Sequence, residues 1–169
     1  IMHGQDLMAL EGNYEHEDGT PECIHCGLKR GQKKVLRRGK KAYRRLAEHI
    51  GLIPIVTVSP ADQWLIAGGS EERRRFMDII ISQYNPVYLD ALTRYNKALQ
   101  QRNALLKQEE EPDDDLLALL EEEMARVGTY IYGERQKYVE NFTPTFQSFY
   151  SLISQEKESV SLTYTSHGQ

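Results

Sequence analysis

A chain of 169 residues, 40% hydrophobic and 27% charged, is long enough to bury one ordinary core. It has no run of eighteen apolar residues, so no membrane-spanning helix is expected. Its first residues, Ile1-Met2-His3-Gly4-Gln5-Asp6, lack the basic and apolar regions of a signal peptide, so a cytoplasmic location is expected. The net charge of −4 conceals a strong polarity: Gly27 to Ala47 holds ten Lys or Arg and no acid, leaving −14 on the remainder. Such a chain can face a polyanion with one segment and repel it with the rest. The plainer alternative is a solvated, lysine-rich hairpin.

The first third reads as β structure. Leu7 to Glu15 is a candidate strand, and Asp18-Gly19-Thr20-Pro21 supplies turn chemistry. Glu22 to Arg30 is a second strand, Gly31-Gln32 a tight turn, Lys33 to Arg37 a third strand and Arg38-Gly39-Lys40 another turn. If the strand runs through that turn, Lys33, Arg37 and Lys41 share one alternation phase. Lys41 to Ile50 starts as a short strand and ends as a helical turn closed by Gly51. Ile53 to Val58 is the most apolar strand candidate and is expected to be buried.

After Ser59 the period becomes helical. Ser59-Pro60 is a helix start, with serine as N-cap and proline in the first turn, and Gly68-Gly69 ends this short helix near Ala67. Ser70 is read as the cap of a second helix whose apolar face is Phe76, Ile79, Ile80 and Tyr84. Asn85-Pro86 ends it and caps the next, which carries a stripe of Tyr88, Leu92, Tyr95, Leu99 and Leu106. Glu109 to Asp115 is an acidic turn, and a long helix is expected from Asp114 to Ile153, making an antiparallel helical arm. Gly128 and Gly133 mark a kink or a close approach, and Thr143-Pro144 a bend. Leu99 is expected to pack against Leu116, Leu120, Met124 and Val127, so Leu99→Ala would cost roughly 2–5 kcal/mol if that side chain is fully buried. Val160 to Tyr164 alternates as a returning strand. The fold class is therefore α+β: an antiparallel β region over 1–58, a helical lobe with a long arm over 59–157, and a returning strand over 158–169. Beginning and ending inside β structure, the chain reads as a piece of a larger protein.

Cys23 and Cys26 form a Cys-x-x-Cys, but no second pair exists and the other histidines are scattered. On a strand, residues three apart face opposite sides, so two reduced structural thiols and no metal are expected. No P-loop (G-x-x-x-x-G-K-[ST]), no G-x-G-x-x-G and no assignable triad or carboxylate pair occurs. No catalytic residue is assigned.

One segment is specific. Ser59-Pro60-Ala61-Asp62-Gln63-Trp64-Leu65-Ile66-Ala67-Gly68-Gly69-Ser70-Glu71-Glu72-Arg73-Arg74-Arg75-Phe76-Met77-Asp78 resembles the signature of the RecF family, with Pro60, Asp62, Leu65, Ile66, Gly68, Gly69, Arg73, Arg74, Phe76 and Asp78 at the matching places. Tyr88-Leu89, Tyr95 to Leu99 and Gln101 to Lys107 are also RecF-like. Ala61 stands where the family usually has an acid, and Ser70 where it usually has proline.

The resemblance implies the middle of an ABC-type ATPase head, related to those of SMC proteins and Rad50, with a short helical arm. It implies ATP and magnesium as cofactors of the intact protein and none in this piece, which lacks the P-loop and should be inactive alone. It also implies an ATP-dependent homodimer that binds DNA at single-strand gaps or duplex and works with RecO and RecR to load RecA. Asp62 and Gln63 are then the candidates for a nucleotide-sensing loop. Lys29, Arg30, Lys33, Lys34, Arg37, Arg38, Lys40 and Lys41 are the candidates for DNA contact. The alternative is a helical-arm interaction module of another SMC-like or Rad50-like protein, without direct DNA contact.

Overall fold

The structure, a computed structural model, describes residues 3–53, 55, 57–108 and 113–166. The chain divides into two compact units, residues 1–53 and 54–169.

The first unit is a four-stranded antiparallel sheet in the order β1 (Leu7–Glu15), β2 (Pro21–Lys29), β3 (Val35–Arg38), β4 (Lys41–Ala42). Each connection is a local hairpin, as short polar turns dictate. The β1–β2 turn is closed by the Asp18 carboxylate, which accepts from the Thr20 N–H at 2.9 Å, and Gly19 takes φ +80°, a region that suits glycine. Gly39 does the same at the β3–β4 turn, with φ +54°. The registers Glu11↔His25, His25↔Arg37 and Arg37↔Ala42 place these four residues in one row across the sheet. A 3-10 turn, Leu46–His49, follows β4, and Gly51 has positive φ beyond it. Ile24, on the central strand β2, is the one buried apolar residue among the described residues of the sheet.

The second unit is helical. A 3-10 turn, Pro60–Gln63, runs into α1 (Trp64–Ala67), then α2 (Ser70–Tyr84), α3 (Pro86–Leu105) and the 41-residue α4 (Asp114–Ser154). Asn85 ends α2 and caps α3, its side-chain oxygen accepting from the Tyr88 N–H at 3.0 Å ahead of Pro86. Asp113 caps α4 by accepting from the Asp115 and Leu116 N–H groups. α3 and α4 are antiparallel: Asn85 meets Glu134, the Tyr95 ring lies beside Gly128, and Arg102 pairs with Glu121. A methyl group at Gly128 would sit 3.4 Å from the Tyr95 ring, an ordinary van der Waals contact, so this is a close approach that does not by itself demand glycine; Gly133 has no such neighbour. α4 runs through Pro144 as one helix, with the Thr143 hydroxyl donating to the Val139 carbonyl. No helix of the described residues is long and apolar enough to cross a membrane.

Several expectations are corrected. No described residue of Ile53 to Val58 is in a strand, and Ile55 and Val58 are exposed; Pro54 and Val56 lie outside the described residues. Apolar β-branched residues favour a strand only where another strand pairs with them, and none does here among the described residues. Gly69, not Ser70, caps α2; the Ser70 hydroxyl accepts from Arg74 instead. The buried face of α2 is Met77 and Ile81, while Phe76, Ile79 and Tyr84 are exposed. The face that meets α3 and α4 is rotated by about one residue from the face with the bulkiest apolar side chains. On α3 the stripe centres on Tyr88, Ala91 and Ala98, because small residues let α4 approach closely, and Leu106 is exposed. Part of the acidic turn, 109–112, lies outside the described residues. Val160 to Tyr164 pairs with no strand among the described residues; it runs beside α4, held by the Gln147 amide donating to the Val160 carbonyl at 3.0 Å and by Arg135 donating to the Tyr164 hydroxyl.

The core of this unit gathers Met77, Ile81, Tyr88, Ala91, Val127 and Ile131. Leu120 and Val127 are buried as expected opposite α3, but Leu99 is only half-buried and Leu116 is exposed. Ile131→Ala is therefore expected to cost about 2–5 kcal/mol and Leu99→Ala less than about 2 kcal/mol. Urea denaturation of the two variants measures the difference.

Candidate nucleic-acid interface

The basic segment lies on the β2–β3 and β3–β4 hairpins, and all eight of its candidate residues are exposed. Two of them are engaged by acids. Arg30 meets the Asp6 carboxylate at 3.3 Å, and Arg38 forms an ion pair with Glu22. The hydrogen bond from Arg38 holds the Glu22 carboxyl below its usual range, and His16 beside it acts in the same direction. The other six, Lys29, Lys33, Lys34, Arg37, Lys40 and Lys41, form no ion pair with any described residue. Folding thus leaves positive charge uncompensated at both ends of β3, on the β2–β3 connection and at the β3–β4 turn, where water and salt screen it.

The register redraws the faces. Strand β3 begins only at Val35, so Lys33 and Lys34 belong to the connection before it. Arg37 pairs with Ala42 and Arg38 with Lys41. Cross-strand partners share a face, so Lys41 lies with Arg38 and not with Arg37. The shared phase of Lys33, Arg37 and Lys41 does not exist, because the Gly39 turn reverses the chain rather than extending the strand.

The cysteines separate as a strand requires. Cys23 and Cys26 are free and half-buried, on opposite faces of β2. Burial pushes the Cys23 thiol up, and the Glu11 and Glu22 carboxylates push it further. His25 Nε2 lies 3.3 Å from Cys23 Sγ, and its Nδ1 lies 3.1 Å from Glu11 Oε2. Sequence spacing gave no hint of Glu11, which arrives from the neighbouring strand.

The signature residues sit at the start of the helical unit. Pro60 opens the 3-10 turn, and the Asp62 carboxylate accepts from the Ser59 N–H at 2.6 Å, so Asp62 caps that turn; Gln63 is exposed beside it. Gly68 is required by space: a methyl group there would meet the Trp64 carbonyl oxygen at 2.4 Å. Gly69 is the extended cap of α2. Arg73 donates to the Leu65 carbonyl at 3.1 Å, tying α2 to α1, and Arg74 to the Ser70 hydroxyl; with Arg75, all three arginines are exposed.

Asp78 is different. It receives both Nε and Nη2 of Arg135 at 2.9 Å, and the Tyr88 hydroxyl also donates to it. Arg135 reaches on to the Tyr164 hydroxyl at 3.2 Å. Burial and the bond to Asp78 push the Tyr88 hydroxyl well above the tyrosine range. Burial works against the charge of Arg135, but Tyr164, Tyr88 and Asp78 more than offset it. One largely buried polar knot, centred on the fully buried Tyr88, thus joins α2, α3, α4 and the segment after α4.

Comparison with known proteins follows the same outline. No family model matches the chain. All 169 residues align at 56% identity with the DNA replication and repair protein RecF of Bacteroides thetaiotaomicron, covering 46% of that protein. Over 167 residues the chain is 58% identical to the RecF of Phocaeicola vulgatus, covering 45% of it. It superposes with a TM-score of 0.85 and 29% identity on a solved structure of the recombination mediator protein RecF bound to ATP in the RecFOR pathway. The match takes in 92% of this chain and 42% of that one. The chain spans about half the length of the curated relatives it matches.

Proposed function

Since the chain is RecF-like over all of its 169 residues, we propose that it serves as the hairpin and helical lobe of an ATP-dependent DNA repair protein. In that role the hairpin contacts the DNA backbone. The protein acts at single-strand gaps with RecO and RecR to support RecA loading, in the cytoplasm. ATP and magnesium bind at a head whose phosphate-binding residues are not among these 169, and nucleotide closes two such heads into a dimer. Asp62 and Gln63, at the exposed start of the helical unit, are the groups proposed to meet the metal or the attacking water.

The observation that carries the DNA reading is the set of six exposed hairpin cations without an acid partner among the described residues. A merely solubilising lysine edge would be equally consistent with neutral or acid-paired neighbours. An unneutralised cluster in a chain of net charge −4 is what phosphate binding needs. Electrophoretic mobility shifts with duplex and gapped DNA test it: binding by the chain that fades with added salt supports the proposal, and no binding at low salt removes it. The second reading, an arm that binds only protein, requires that outcome.

The missing P-loop lysine and its cradling amides set a further expectation. The 169-residue chain is expected to hydrolyse no ATP above background in a magnesium-containing phosphate-release assay; robust turnover by well-purified chain would refute the reading.

A further inference from the structure

On the sheet face that carries Arg37, three donor groups of different chemistry meet. Glu11 on β1 is the register partner of His25 on β2, and Cys23 lies two residues before His25 on the same side. One ligand atom from each of Glu11, Cys23 and His25 lies within 4.8 Å of the others, with Cys23 Sγ and His25 Nε2 at 3.3 Å. We propose that Glu11, Cys23 and His25 bind a thiophilic divalent cation, zinc by their donor set, pinning the edge strand β1 to β2.

Sulfur, imidazole nitrogen and carboxylate oxygen are the three donors zinc takes in proteins, at about 2.3, 2.0–2.1 and 2.0–2.2 Å. A tetrahedral ion with those bonds holds its sulfur and nitrogen roughly 3.5 Å apart. The Cys23–His25 pair already stands at 3.3 Å, so two ligands need little movement. Glu11 now lies at the Nδ1 side of the ring, at 3.1 Å. Its side chain is 55% exposed and can swing to the Nε2 side, exchanging its contacts with His25 Nδ1 and with Asn13 at 3.3 Å for a bond to the ion. The fourth position is open to water. The Glu11 carboxylate, on the same face, brings negative charge to the sulfur side of the site, which favours a cation over an anionic or nucleophilic use of the thiol; Arg37, in the same row, opposes it. On binding, the Cys23 proton leaves to solvent and the thiolate bonds the ion, while His25 binds neutral. Cys26, on the other face, takes no part, so this site owes nothing to the Cys-x-x-Cys spacing.

Cobalt(II) titration of the reduced, metal-free chain reads the ligands directly. A sulfur-to-cobalt charge-transfer band is expected at one equivalent, displaced by zinc. Cys23→Ser should abolish the band, Cys26→Ser should leave it intact, and Glu11→Gln should weaken cobalt binding at least tenfold, since even outer-sphere partners are worth about 10–100-fold. Glu11 is exposed, so that variant is expected to fold, and circular dichroism checks it. No band in the wild-type chain, or a band that survives Cys23→Ser or is lost in Cys26→Ser, would overturn the proposal.

Discussion

Replacing Arg135 by methionine is expected to destabilise the helical unit by about 3–5 kcal/mol, the range for removing one partner of a buried ion pair. The Arg135 and Asp78 side chains are only 13% and 17% exposed, and the loss strands a carboxylate in low dielectric with Tyr88 as its remaining donor. The cost arises from that stranded charge more than from the attraction lost. Replacing both partners, as Asp78→Leu with Arg135→Met, is accordingly expected to recover most of the loss. Urea denaturation of the wild type, both single variants and the double closes the cycle. A single-variant cost below about 1 kcal/mol would show that water reaches the pair and that the knot does not hold the helices together.

That knot shows where the sequence is legible and where it is not. Arg135 falls on the helical period of Val127 and Ile131, which are buried, so the spacing alone places it inside. Its partner cannot be read that way: Asp78 is 57 residues earlier and looks, in sequence, like one more charge after an arginine run. Local chemistry was largely readable, the cap of α2 at Gly69 in place of Ser70 being the exception. Asn85-Pro86, the Asp113 cap and the limits of β1 and α4 follow from propensity and capping acting within a few residues. The errors came where a distant element decides. Ile53 to Val58 has strand composition without a strand partner among the described residues, and on α3 it is Ala91 and Ala98 that face α4, with Leu106 outside. The basic segment divides in the same manner. Its charge density was plain, but only the register reveals that Glu22 and Asp6 occupy two of its arginines, and that Glu11 lies beside His25.

Those occupied arginines sharpen the test of DNA contact. In a full-length RecF-type protein carrying this hairpin, binding is expected to be insensitive to base sequence and to follow a log–log salt slope of about −4, from four or five phosphates at ~0.9 each. That slope is a loss of roughly two orders of magnitude in affinity between about 50 and 200 mM salt. Neutralising Lys33, Lys34 and Arg37 with glutamine removes three cations that have no acid partner, and should take about three units from the slope. Neutralising Arg30 and Arg38 instead removes two that Asp6 and Glu22 already balance. Their ion pairs must open before either arginine meets a phosphate, so the slope should change by less than one unit. Comparing the two variants separates phosphate contact from a general fall in positive charge, which would follow only the number of cations removed. Equal changes per cation would mean that long-range attraction, and not the hairpin surface, governs binding. An unchanged slope in the triple variant would move the DNA surface off the hairpin altogether, and the exposed arginines Arg73, Arg74 and Arg75 on α2 would be the next to neutralise.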